Sequence, residues 1–216
     1  MLQFSQAPAG RRAFQIILGT SLLMAFAVIA AIALQQAQAR PAATARAPIT
    51  AEIASSWVEL PLNELIARSD LIVRGDVLPP LPSRWNTLNG ELPAGAAVAD
   101  VAWDTIIYTD TPVKVAEYLK GSAPEQTILA RTLGGRVGQD TMTAEGPVLT
   151  SGSQVVLFLT SSAYETWDVG AEHFWPMGPQ GVFRIAGNNV LSEGTRHYPA
   201  RMPLAELLAA IAANGQ

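Results

Sequence analysis

One segment of this 216-residue chain is too long and too apolar for the core of a small soluble domain. The run from Ile16 to Leu34 is interrupted only by three small residues, and Arg11 and Arg12 precede it. An apolar helix of this length can cross a bilayer, and basic residues before it are typical of an export signal. Because Ala37-Gln38-Ala39 has the small-x-small pattern of a signal-peptidase site, residues 1–39 are either a retained membrane anchor or a signal cleaved after Ala39. Both alternatives predict an extracytoplasmic location for the rest of the chain.

The composition of the exported part excludes several classes of function. The chain has 14 basic and 18 acidic residues. Arg11 and Arg12 precede the apolar run, so the part that follows it is more acidic than the whole chain. An acidic module of this kind lacks the concentrated positive charge that nucleic-acid binding requires. The absence of cysteine excludes disulfide scaffolds, thiolate metal sites and cysteine nucleophiles.

The organisation predicted along the chain is an export segment, a tether and one domain. Residues 40–56 begin with prolines and small residues that offer no apolar face, so we expect a flexible tether there. Residues 57–216 are enough for one domain of ordinary size.

Two short helices are predicted by apolar residues at helical spacing. The first covers residues 61–68, where proline suits the first turn. The second covers residues 203–214, where Leu204, Leu207 and Ile211 share one face. We expect this C-terminal amphipathic helix to pack on the rest of its own domain.

Strands predominate between the helices. The alternation in residues 70–77 predicts a half-buried strand, whereas the apolar run 155–159 indicates a strand covered on both faces. A proline inside the strand predicted for residues 106–119, Pro112, indicates a bulge or an edge. The other predictions are a strand over residues 126–133, a flexible glycine-rich connection at 134–138, and a hairpin of residues 181–185 and 190–191 across Gly187-Asn188-Asn189.

Short strands without βαβ alternation predict a mainly β fold, a small antiparallel barrel. The segments SDLIVRGDV (69–77), TPVKVAEYLKGSAPEQTI (111–128) and GSQVVL (152–157) resemble the netrin-like module of tissue inhibitors of metalloproteinases and uncharacterised exported bacterial proteins. The resemblance implies a five-stranded Greek-key barrel of the OB type. Those inhibitors use an N-terminal cysteine and disulfides, which this chain lacks. The resemblance therefore implies the fold but not the inhibition of metalloproteinases, and no functional residue is carried over.

Catalytic candidates are few. His173 and His197 are the only histidines, and neither has a second ligand at zinc-motif spacing, although Glu172 or Glu193 could join them in a metal site. The segment Ser151-Gly152-Ser153 is a candidate for a nucleophilic serine but lacks the strand–turn–helix context of a nucleophile. We therefore expect no catalytic residue, no metal and no cofactor. Because a Ser-His-Asp triad needs no proximity in sequence, an extracytoplasmic hydrolase or metal-dependent enzyme using His173 or His197 stays open as the alternative.

Aromatic residues in long connections predict a binding surface. Trp85, in the middle of a loop, is expected to be an exposed anchor, whereas tryptophans next to strands can instead plug a barrel end. The predicted binding residues are Arg84, Trp85, Trp103, Arg136, Trp167 and Trp175. The sequence thus predicts an exported, membrane-tethered, non-catalytic binding or assembly module of the cell envelope. Its expected partner is an envelope protein or a glycan, with the membrane contacted through residues 16–34 and no nucleic acid bound.

Overall fold

The computed structural model describes residues 47–54, 56–92, 96, 104–161, 167–192 and 197–215. Strands predominate in these residues, which confirms the mainly β prediction. The strands are β1 (Thr50–Ile53), β2 (Leu71–Val77), β3 (Arg84–Trp85), β4 (Ile107–Lys120), β5 (Thr127–Leu133), β6 (Gly135–Val137), β7 (Asp140–Ala144), β8 (Gln154–Thr160), β9 (Trp175–Pro176), β10 (Val182–Ala186), β11 (Asn189–Leu191) and β12 (Arg201–Pro203). The helices are α1 (Leu62–Arg68) and α2 (Leu204–Asn214), with a 3-10 turn at Pro179–Gly181.

The strands form two sheets. The larger has the order β12-β11-β10-β8-β2-β4-β3, with β5 paired to β4 and β9 paired to β8. The smaller has the order β1-β7-β6. Strands β1 and β7 run parallel, so the prediction of purely antiparallel pairing is wrong for this pair.

Strand pairing leaves both sheets open, so a closed barrel is not found among the described strands. The segment Phe174–Pro176 nevertheless lies between β5 and β8. The backbone of Phe174 forms hydrogen bonds of 2.8 Å with Leu129 and Arg131 of β5. Trp175 and Pro176 pair with the end of β8. This segment therefore connects β5 to β8 without adding a full strand.

Two apolar layers pack on opposite faces of β2 and β8. Ile72, Val156 and Phe158 belong to the outer layer, which includes residues of α1 and α2. Val73 and Leu157 belong to the inner layer on the other face. All five side chains are fully buried, so the prediction that the apolar run of β8 is covered on both faces is confirmed. The half-buried prediction for β2 is wrong, because Ile72 is buried in the outer layer.

Both helices form where apolar spacing predicts them. Leu65 of α1 and Leu207 of α2 are fully buried in the outer layer. The Nζ atom of Lys120, at the end of β4, donates hydrogen bonds of 2.8 and 2.9 Å to the carbonyls of Ile66 and Ala67. Carbonyls in the last turn of a helix have no partner within the helix, so this lysine stabilises the end of α1.

Pro112 lies within β4, which is paired on both sides. It pairs with Leu129 of β5 on one side. On the other side, its carbonyl accepts a hydrogen bond from the amide of Leu78, and the carbonyl of Asp110 accepts one from Leu81. The proline nitrogen points to the same side as its carbonyl, towards the loop whose amides, at Leu78 and Leu81, donate these hydrogen bonds. On this side β2 pairs only with Val113–Lys120 and β3 only with Ile107 and Tyr108, so Pro112 lies at a local edge of the sheet, as expected, and its missing N–H costs no ladder bond.

The smaller sheet corrects two predictions. The glycine-rich residues 134–138 contain β6 (Gly135–Val137), which pairs with β7. Residues 50–53, inside the predicted tether 40–56, form β1. The reason is that Ile49 is buried next to the strand and its amide donates a 3.0 Å hydrogen bond to the Asp140 carboxylate.

The predicted C-terminal hairpin is confirmed as β10 and β11. Its turn consists of Gly187, at a φ of +60°, and Asn188, while Asn189 already belongs to β11. A positive φ favours glycine in such a two-residue turn.

The chain divides into two units, Met1–Ala45 and Arg46–Gln216. The predicted anchor at residues 16–34 and the cleavage site after Ala39 lie outside the described residues and stay predictions. Within the described part of the chain, no helix has both the length and the apolar character needed to cross a membrane.

Candidate functional site

A cavity of about 580 Å³ opens beside the first half of β4 and the end of β5. Its walls come from residues 57–60, from β4 and β5, from the connection 144–149 and from residues 167–180. The lining is mostly apolar. Its volume lies within the range of small-molecule sites, which are concave and mostly apolar with a few polar groups. We refer to this cavity as the tryptophan cleft, because Trp57, Trp167 and Trp175 line it.

Threonines of β4 and β5 line one wall. Thr109 pairs with Thr132 and Thr111 with Ala130, so these side chains continue the face that carries the inner layer. The hydroxyl of Thr109 donates a 2.8 Å hydrogen bond to the carbonyl of Gly134. Thr111 is only 3% exposed, and its hydroxyl has no hydrogen-bond partner among the described residues. This hydroxyl is therefore available to a ligand.

Two neighbouring tryptophans line another part of the cleft, and one of them is held by a carboxylate. The rings of Trp167 and Trp175 lie 6.1 Å apart between centroids. The indole Nε1 of Trp175 donates a 2.9 Å hydrogen bond to Asp168. Trp57 packs closely on the backbone of Gly178, where an added Cβ would lie 2.8 Å from the indole. Gly178 therefore allows Trp57 its position.

The rim of the tryptophan cleft is apolar and open to solvent. Trp57 is 45% exposed, Val58 76% and Val148 71%. All three line the cleft. Exposed apolar side chains that are contiguous, rather than scattered singly, indicate an interaction site.

A buried arginine fixes the wall that carries Trp167. Arg131 is fully buried and forms a bidentate ion pair with Asp110, at 2.7 and 2.9 Å. Its Nη1 donates hydrogen bonds to the carbonyls of Trp167, at 3.1 Å, and Val169, at 2.7 Å. The guanidinium carbon lies 3.7 Å from the centre of the Tyr108 ring. Every charge-bearing nitrogen of Arg131 is thus engaged, and its role is to position residues 167–169.

Asp70 holds the chain where β8 ends. Its Oδ2 accepts hydrogen bonds from the amide and the hydroxyl of Ser161, both at 2.8 Å, and from the hydroxyl of Thr160 at 3.0 Å. The backbone hydrogen bond from Ser161, together with those two hydroxyls, lowers the pKa of Asp70, because these bonds favour the ionised carboxylate.

The histidines occupy different surroundings. The Nδ1 atom of His173 lies 2.8 Å from the carbonyl of Ala171, and Nε2 lies 3.1 Å from Asp168. Both partners are oxygen atoms of the protein, so the two nitrogens of this ring are engaged within the fold. His197 is exposed, beside Tyr198 of the outer layer. Burial is the main factor that raises the pKa of Tyr198 above its usual value.

Other predicted chemistry is not assembled among the described residues. No three metal-binding side chains come together there, and Glu193 lies outside them. The hydroxyl of Ser153 donates a 2.6 Å hydrogen bond to the carbonyl of Thr150.

The structure brings only part of the predicted binding set together. Trp167 and Trp175 line the tryptophan cleft, whereas Arg84 and Arg136 are exposed outside it. Trp103 lies outside the described residues. The prediction that Trp85 is exposed is wrong. Trp85 is fully buried, because β3 pairs with the start of β4 and brings this part of the loop into the apolar cluster with Ile107 and Met142.

Several residues of the cleft were not predicted from the sequence. Trp57 and Val58 lie just before α1, in a stretch without helical or strand periodicity, and Val148 lies in a connection. The sequence signal for them is an apolar residue in a stretch without periodicity. Thr111 has no comparable signal, since threonine is a common residue within strands.

Comparison with protein-family models, with curated proteins and with solved structures finds no match to this chain. The resemblance to the netrin-like module therefore stays a prediction.

Proposed function

We propose that this protein is a non-catalytic binding module of the cell envelope and that the tryptophan cleft is its ligand site. The observation that carries this proposal is a cavity of about 580 Å³ with a mostly apolar lining, three tryptophans and an exposed apolar rim. A preformed apolar cavity with a few polar groups is the ordinary form of a ligand site. The ordered anchoring of residues 167–169 by Arg131 supports it, since a wall held in advance lowers the entropy cost of binding.

We also propose that the fold is OB-like, and the position of the cleft supports this. Barrels of that type bind through loops and the strand face between them. The cleft lies where the inner face of β4 and β5 reaches such connections, and the segment Phe174–Pro176 links β5 to β8 at its wall.

The enzyme alternative has weaker support. A general base must have a nitrogen free to accept a proton. Both ring nitrogens of His173 lie within hydrogen-bond distance of protein oxygens, so neither is open to a substrate, and this histidine does not line the tryptophan cleft.

Removing the exposed tryptophan tests the ligand site. We expect Trp57→Ala to weaken binding of the fluorescent apolar probe N-phenyl-1-naphthylamine by about tenfold, since a well-packed aromatic anchor contributes about 1–2 kcal/mol or more. Fluorescence titration of the full chain measures this. The matched control is Leu88→Ala, which removes another exposed apolar side chain that does not line the cleft.

Equal probe binding by Trp57→Ala and wild type would contradict the proposal. Loss of binding in Leu88→Ala as well would mean that the probe adheres to exposed apolar surface rather than entering the cleft.

The proposed location has its own test. The length of the apolar run at residues 16–34 favours a retained anchor, so we expect the full chain in the membrane fraction, released by detergent and not by salt. N-terminal sequencing of that material should give the uncleaved start. A soluble product beginning at Arg40 would contradict the anchor while supporting export.

A further inference from the structure

The positive and the negative side chain that line the tryptophan cleft differ in whether they can interact with a ligand. The only basic residue in its lining among the described residues is Arg131, whose charge is already paired with Asp110 in a fully buried position. Glu145 also lines the cleft, but its side chain is exposed and has no ion pair or hydrogen bond among the described residues. Among the described residues that line the cleft, a ligand at the rim therefore meets one uncompensated negative charge, that of Glu145, and no free positive charge.

The tryptophans add to the same preference. The face of an indole ring carries negative electrostatic potential and attracts cations. Trp57, at the open rim, presents such a ring to solvent. An anionic head group would meet Glu145 without a cation to offset it, whereas a cationic one would be attracted by both groups.

We infer that the tryptophan cleft selects cationic amphiphiles, with an apolar chain enclosed by the cleft and a positively charged head group beside Glu145. This inference rests on the cleft being the ligand site. The apolar lining supplies most of the affinity, and Glu145 supplies the choice of head group. Because Glu145 is exposed, its contribution is that of a surface ion pair, which corresponds to about a fivefold change in affinity at most.

Three ligands with the same chain separate the head group from the tail. Decylamine, decanol and decanoate are titrated at neutral pH and low salt against the full chain carrying N-phenyl-1-naphthylamine, and displacement of the probe is measured. We expect affinity to fall in the order decylamine, decanol, decanoate. In Glu145→Gln, we expect the advantage of decylamine over decanol to fall clearly, to the part that the Trp57 ring contributes, while decanol binds as before. Glu206→Gln, an exposed acidic position on α2, is the matched control and should keep the wild-type order.

The outcomes distinguish the inference from the proposed function. Displacement by all three ligands with equal affinity, or best by decanoate, would overturn the head-group preference and leave the ligand site intact. Loss of the decylamine advantage in Glu206→Gln would assign it to overall negative charge and overturn the role of Glu145. Failure of all three ligands to displace a bound probe would overturn the amphiphile class, and failure of the probe itself to bind would overturn the proposed function.

Discussion

Replacing Arg131 with methionine is expected to lower the free energy of unfolding by about 3–5 kcal/mol. The substitution leaves the carboxylate of Asp110 nearly buried and without its bidentate partner. It also removes the donor to the carbonyls of Trp167 and Val169. Denaturant unfolding of the variant and the wild type, monitored by circular dichroism, measures the change.

The double variant Arg131→Met with Asp110→Leu separates the charge from the packing. Because it removes both ions, it should be more stable than Arg131→Met alone. Full recovery is not expected, since the two carbonyls remain without their donor. If the single and double variants were equally stable, an unpaired carboxylate would not be the cause of the loss. We also expect weaker probe binding in both, because Arg131 positions Trp167, which lines the tryptophan cleft.

Trp85→Ala is expected to cost about 3–5 kcal/mol, the usual range for a large buried aromatic side chain. Trp85 is fully buried among residues of β4 and β7, so its removal leaves a cavity that its neighbours cannot fill. Its indole N–H has no acceptor among the described residues. Trp85→Phe therefore loses volume without losing a hydrogen bond, and we expect a clearly smaller effect.

The control for this series is Trp57→Ala, the same substitution at a half-exposed position. It should change stability by less than about 1 kcal/mol, because substitutions away from a packed core have small effects. A smaller loss for Trp85→Ala than for Trp57→Ala would mean that the cluster around β3 contributes little to the fold.

Elements whose signal is local were predictable from the sequence. Strand β8 is a continuous apolar run and α2 has its leucines at helical spacing, and each forms where its own residues indicate. The two-residue strand β3 carries no such signal. It exists only because the start of β4 pairs with it, and the burial of Trp85 follows from that pairing.

The candidate site was predictable only in part, for the same reason. Trp167 and Trp175 were recognised as aromatic residues in connections. The pairing of Arg131 with Asp110 depends on the register of β4 against β5, and alternation alone gave no sign that a charged residue of β5 would be fully buried. The cleft draws residues from at least five separate parts of the chain, so no single stretch of sequence describes it.

The central position of β2 has a consequence for synthesis of the chain. Strand β4 is the nearer partner of β2 along the chain and β8 is the more distant one. Asp70 and Thr160, which are joined by a hydrogen bond, are 90 positions apart. A ribosome adds about 5–20 residues per second, so the second edge of β2 stays without its partner for several seconds. An apolar strand with an open edge is a template for pairing with another chain. Newly made chains therefore have to be kept apart until the second half of the domain has emerged.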